Sequence, residues 1–68
     1  MTYQEFLKLV DQTSNNFNWR YGQALMNVLS VVWNDKHEEI LQSNYDPYHD
    51  EKFVSEVLKI LQDNWNPK

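Results

Sequence analysis

Sixty-eight residues with no cysteine and a formal net charge of −4 are read as one small helical domain, 1–68, of a size that buries only about 60% of its unfolded surface. Disulfides are excluded, and so are Cys-containing zinc sites, which two histidines cannot complete; stability has to come from helix packing or from association with another chain. The acidic balance repels a DNA phosphate backbone, so no direct nucleic-acid binding is expected.

The first helix is expected over residues 2–12. Thr2 and Glu5 have capping-box spacing, which satisfies orphan amide groups at a helix start. Tyr3, Phe6, Leu7 and Val10 follow at i, i+3, i+4 and i+7, with Leu9 widening the apolar face and Lys8, Asp11 and Gln12 opposite. The run T-S-N-N from Thr13 favours caps and turns, because these side chains compete for backbone hydrogen bonds. The helix should therefore end near Gln12.

The second helix, 18–33, is the most apolar, with Asn16 or Asn18 as its cap and Phe17 packing at its start. At 100° per residue, Arg20, Gln23, Asn27 and Ser30 fall in a stripe about 80° wide, and the remaining arc of about 260° is apolar, aromatic, Ala or Gly. Gly22 is the only glycine; inside a helix it costs about 1 kcal/mol relative to Ala. It shares the wheel with Met26, Leu29 and Trp33, so close approach of another backbone or an aromatic ring is its expected compensation. The alternative is a frayed first turn.

A short third helix near 35–42, restarting at Asn34 or Asp35, is suggested by Asp35 and Glu38 at capping-box spacing and by the small apolar patch His37, Ile40 and Leu41. It should lie on the bundle rather than build it. Residues 43–50, S-N-Y-D-P-Y-H-D, form the one long connection; Pro47 fits a first helical turn but not a helix interior, so a new start at Asp46 or Asp50 is natural. The last helix, 50–64, places Phe53, Val54, Val57, Leu58, Ile60, Leu61 and Trp65 on one arc, with Glu56, Lys59, Gln62 and Asp63 opposite. W-N-P-K then ends it. No segment alternates with period two, so no strand is expected. The fold class is all-α: a small antiparallel bundle of three main helices plus the short one.

R-Y-G-Q-A-L-M-N-V-L followed by D-P-Y-H-D resembles a loose group of small, mostly uncharacterised proteins of bacteriophages, including phages of cyanobacteria, and of bacteria. These carry an R-x-G-Q-x-x-x-N-x-L helix and then an acidic D-P-aromatic segment. The matching positions are Arg20, Gly22, Gln23, Asn27 and Leu29, then Asp46, Pro47, Tyr48 and Asp50, about half the chain. The resemblance implies a phage origin and carries over no activity.

The polar stripe Arg20, Gln23, Asn27 and Ser30 reads in two ways. It is a recognition strip, with the Arg20 fork facing a carboxylate, or it is solvated or tied to the acidic connection within the fold. The second reading is favoured, with Arg20 or Gln23 holding Asp46, Asp50 or nearby carbonyls. Asp46, His49 and Asp50 lack the ligand order of a calcium loop, and His37-Glu38-Glu39 lacks the second histidine of H-E-x-x-H. No metal site, cofactor or catalytic residue is therefore expected, and the chain is not read as an enzyme.

Trp19, Met26, Leu29 and Trp33 carry more weight. Two neighbouring helices cover only part of the apolar arc, and aromatics and Met are typical interface anchors; the alternative is that the short helix and the Phe17 turn cover all four. The expected partner is a protein of host or phage, with a homodimer as a further possibility. Asp35, Glu38, Glu39, Asp46, Asp50 and Glu51 stand against Lys36 alone in residues 35–51, a local charge of −5. That imbalance keeps an acidic DNA-mimic inhibitor open as the alternative, beside a minor structural or assembly component. The N-terminus has no signal-peptide pattern and no run reaches ~20 apolar residues, so no membrane association and a cytoplasmic location, the host cytoplasm for a phage protein, are expected.

Overall fold

The computed structural model describes residues 1–67; Lys68, the end of W-N-P-K, lies outside them. The described residues contain α1 (Tyr3–Phe17), α2 (Tyr21–Val32), α3 (Asn34–Leu41), a 3-10 turn over Glu51–Phe53 and α4 (Val54–Asp63), with no strand. The result is a small all-α bundle of four helices packed against each other.

The capping box forms as spaced. The Glu5 N–H donates to Thr2 Oγ1 at 3.1 Å, and the Thr2 N–H donates to Glu5 Oε1 at 2.7 Å. Hydrogen bonding of the Glu5 carboxyl to the Thr2 backbone first, and to the Thr2 side chain second, holds it below its ordinary range. The far end of α1 departs from expectation: the helix runs through T-S-N-N to Phe17 and stops at Asn18, which is left-handed at φ 54°, ψ 42°. Ser14 closes this end, since its carbonyl accepts from the Asn18 and Trp19 N–H groups and its Oγ donates to the Trp19 carbonyl at 2.7 Å. The turn-forming residues act, but at the final turn; the chain reverses only where Asn18 supplies the tolerated left-handed backbone.

Asn18 therefore caps the end of α1 rather than the start of α2, and Asn16 lies inside α1. The start of α2 is Arg20, extended at φ −61°, ψ 151°, with no side-chain cap of its own. Trp33 separates α2 from α3. Its N–H closes α2 on the Leu29 carbonyl at 2.8 Å and its carbonyl accepts the His37 N–H that opens α3 at 3.1 Å. The expected Asp35–Glu38 box does not form, because α3 begins one residue earlier and Trp33 provides no side-chain cap. At the last helix Asp50 accepts from the Lys52 N–H, which starts the 3-10 turn leading into α4.

The core is built around α2. Ala24, Leu25, Met26, Val28 and Leu29 are buried against Phe6 and Val10 of α1, Ile40 of α3, and Val57 and Leu61 of α4. Trp65 lies past α4 and packs on Phe6, Tyr3 and Trp33 with ring centroids 4.9, 5.6 and 5.6 Å away. No described helix is long and apolar enough to cross a membrane.

Candidate functional site

Two opposite faces of α2 do different things. Gly22 and Val31, nine residues apart, lie about 180° from each other on the helical wheel, so one can meet the connecting loop while the other faces away.

On the Gly22 face the segment D-P-Y-H-D folds on itself. Asp46 Oδ1 accepts the Tyr48 N–H at 2.9 Å, as Asx turns do, and Asp46 Oδ2 lies 3.5 Å from His49 Nε2. Pro47 is thereby driven inward and fully buried. Arg20 Nη2 donates to the Tyr48 carbonyl at 2.7 Å, and the Gly22 N–H donates to Glu51 Oε1 at 2.7 Å. The carboxylate missing from the local sequence at the start of α2 thus arrives from 29 residues downstream, placed where the helix dipole favours negative charge. A Cβ on Gly22 would collide with the Pro47 carbonyl oxygen and stand 2.6 Å from Glu51 Oε1. Gly22 does sit in a first turn, but that turn is pinned by a backbone at close approach.

The rest of the polar stripe bonds to its own helix. Asn27 Nδ2 donates to the Gln23 carbonyl at 3.0 Å and Ser30 Oγ donates to the Asn27 carbonyl at 2.7 Å. Of the stripe, Arg20 meets the acidic connection; Gln23, Asn27 and Ser30 do not. Asp50 is held in its own turn by Lys52, not by Arg20. Among the described residues, no group of three or more His, Asp or Glu side chains is placed to hold a metal ion. His37 Nδ1 is buried without a hydrogen-bond partner, its nearest acid being Glu38 Oε1 at 3.9 Å.

The expected interface residues divide. Met26 and Leu29 are buried in the chain's own core with side chains of α1, α3 and α4, so neither is available as surface. Trp19 is half-buried and stacks on Phe17 at 4.8 Å. Trp33 is half-buried, edge-on to Trp65, with Lys36 Nζ 5.2 Å from its ring centre.

Met1, Phe17, Leu41, Tyr45 and Tyr48 are exposed to lesser degrees, and the most exposed of the large apolar side chains is Val31. Val31 is 85% exposed, and a hollow of about 240 Å³ beside it is lined by Leu9, Thr13, Asn27, Val28, Val31 and Val32. Among the described residues no ionisable side chain lines it. A second hollow of about 490 Å³ adjoins at Val31 and Val32 and continues over Trp33, Asn34, Asp35 and Asn66. Sequence reading missed this face because Val31 was counted within the apolar arc; on the wheel it sits only about 20° beyond Arg20, at the border of the polar stripe. Glu51 carried no local signal as the cap of α2.

The chain matches no protein-family model, no curated protein and no solved structure. The resemblance to small phage proteins therefore rests on the shared positions alone.

Proposed function

We propose that this chain is a small protein-binding module that modulates a protein of a phage or its host by docking through the Val31 face. The carrying observation is Val31 itself, 85% exposed at the border of a hollow without charged lining, on a helix whose other apolar side chains are mostly buried. An exposed apolar side chain beside an apolar hollow is the kind of anchor point that protein interfaces use. The phage setting is supported by the R-x-G-Q-x-x-x-N-x-L and D-P-Y segments.

The DNA-mimic reading draws less support. Asp46, Asp50 and Glu51 are engaged with backbone N–H groups, and Glu39 pairs with Lys36 at 3.0 Å. Of the six carboxylates of the acidic segment, that leaves Asp35 and Glu38 without a backbone N–H or lysine partner among the described residues.

Affinity capture from host lysate with the wild-type chain and Val31→Glu tests the reading. A partner retained by the first and lost by the second is the expected result. Equal capture by both, or loss only when Glu38 is changed to Lys, would overturn docking through this face.

A further inference from the structure

Resting on that protein-binding reading, we infer that the occupant of the Val31 face is an amphipathic helix of a partner protein, bearing an apolar stripe and a Lys or Arg at the end that lies toward α3. Three observations carry this. The two hollows meet at Val31 and Val32, so an apolar stretch along the outer side of α2 runs on into a mainly polar one over Asn34, Asp35 and Asn66. Among the described residues, Asp35 is the single ionisable side chain lining either hollow. Among the described residues Lys36 pairs with Glu39 and Lys52 with Asp50, while His37 lies near Glu38 and His49 near Asp46, which leaves Asp35 with no cation beside it.

The backbone decides the form of the occupant. The described residues contain no strand, so an extended segment would find no sheet edge to pair with and would lay its own N–H and C=O groups against valines. A helix satisfies its backbone internally and offers only side chains. Charge decides against a second copy of this chain. In a two-fold dimer the same patch faces itself, so two Asp35 carboxylates would enter one interface to which the described residues lining the hollows bring no cation. A partner helix with a terminal Lys or Arg meets both the apolar stretch and Asp35 at the polar end.

The probes are two synthetic helical peptides with the same leucine stripe, one ending in two arginines and the other in two glutamates. Each is titrated into the isotope-labelled chain while backbone amide shifts are followed. The expected shifts concentrate on Leu9, Thr13, Val31, Val32 and Trp33, and the arginine peptide binds roughly fivefold more tightly, the scale of an exposed ion pair. Raising salt should erode that preference. Asp35→Asn should abolish it, with the thermal midpoint within a few degrees of wild type because Asp35 is exposed. Asp35→Lys should invert it, with a larger fall in midpoint because a cation then stands in the first turn of α3.

Equal affinity for the two peptides, a preference that survives Asp35→Asn, shifts on another face, or no binding by either at millimolar concentration would each overturn the inference. So would sedimentation showing a dimer that Val31→Glu dissociates. These failures differ from failure of the broader reading. A captured partner that needs Val31 but ignores Asp35 leaves the docking face in place and removes only the cationic helix; capture indifferent to Val31 removes the docking face itself.

Discussion

A methyl group at Gly22 would compete for space with the Pro47 carbonyl and the Glu51 carboxylate. Alanine gains about 1 kcal/mol of helix propensity over glycine. Overpacking against a backbone that cannot swing aside costs roughly 1–3 kcal/mol, and displacing Glu51 also weakens its bond from the Gly22 N–H. Gly22→Ala should therefore lose about 1–2 kcal/mol net in urea unfolding; a variant as stable as wild type would mean that the loop yields freely. The wheel made a close approach at Gly22 legible, but not what approaches, because residues 46–51 are brought there by the fold and by no local pattern. The capping box was legible in full, since its four participating groups lie within four residues. It also sets a pH dependence. The Glu5 carboxyl is held below its ordinary range when folded, so its contribution is complete above that range and is lost as pH falls through the lowered folded value. Thermal midpoints measured down the acid range should fall less steeply for Glu5→Gln than for wild type, and parallel curves would remove Glu5 from the acid response.

At the scale of elements, the ends of the helices depend on residues outside them. The sequence T-S-N-N carries a true turn preference, yet one more helical turn fits before Asn18 reverses the chain. A left-handed residue costs L side chains roughly 1–2 kcal/mol, with Asn and Gly the routine exceptions. Asn18→Ala should therefore destabilise by about 1 kcal/mol, and Asn18→Gly should be neutral or better; equal stability of the two would mean that the αL position relaxes. The loop has its own test. Arg20 holds the Tyr48 carbonyl and Glu51 holds the Gly22 N–H, two ties between α2 and the segment before α4. Arg20→Ala should accelerate amide exchange over residues 46–52 and leave the amides of Leu25–Leu29 protected. If exchange in the loop is unchanged, Pro47 burial alone holds the segment. Helix number and order were readable from apolar spacing, whereas starts and stops shifted wherever a cap came from a distant residue, as Glu51 does for α2.

At the scale of the whole molecule, the chain's two ends are closed by one side chain. Trp65 Nε1 donates to the Met1 carbonyl at 3.0 Å, its ring packs on Phe6, Tyr3 and Trp33, and Tyr3 Oη donates to the Leu58 carbonyl at 3.0 Å beside it. Burial pushes the Tyr3 phenol up, so this bond persists across ordinary pH. Sequence spacing put Trp65 on the apolar arc of the last helix, but α4 ends at Asp63, and the ring reaches the core from the tail that follows. A domain of this length has roughly 3–10 kcal/mol of net stability at typical values per residue. Truncating a fully buried Trp costs about 3–5 kcal/mol; for a half-buried ring about 2–3 kcal/mol is the matching scale. Trp65→Ala should then lower the thermal midpoint by roughly 10–20 °C in a domain of this size. Trp65→Phe keeps most of the ring packing and loses the bond to Met1, worth about 1 kcal/mol, so its midpoint should fall much less. The contrast separates two ways of holding the termini together. If the Phe variant falls as far as the Ala variant, the hydrogen bond to Met1 and not the aromatic packing closes the bundle, and the stability of α1 and α4 would depend on the first residue of the chain.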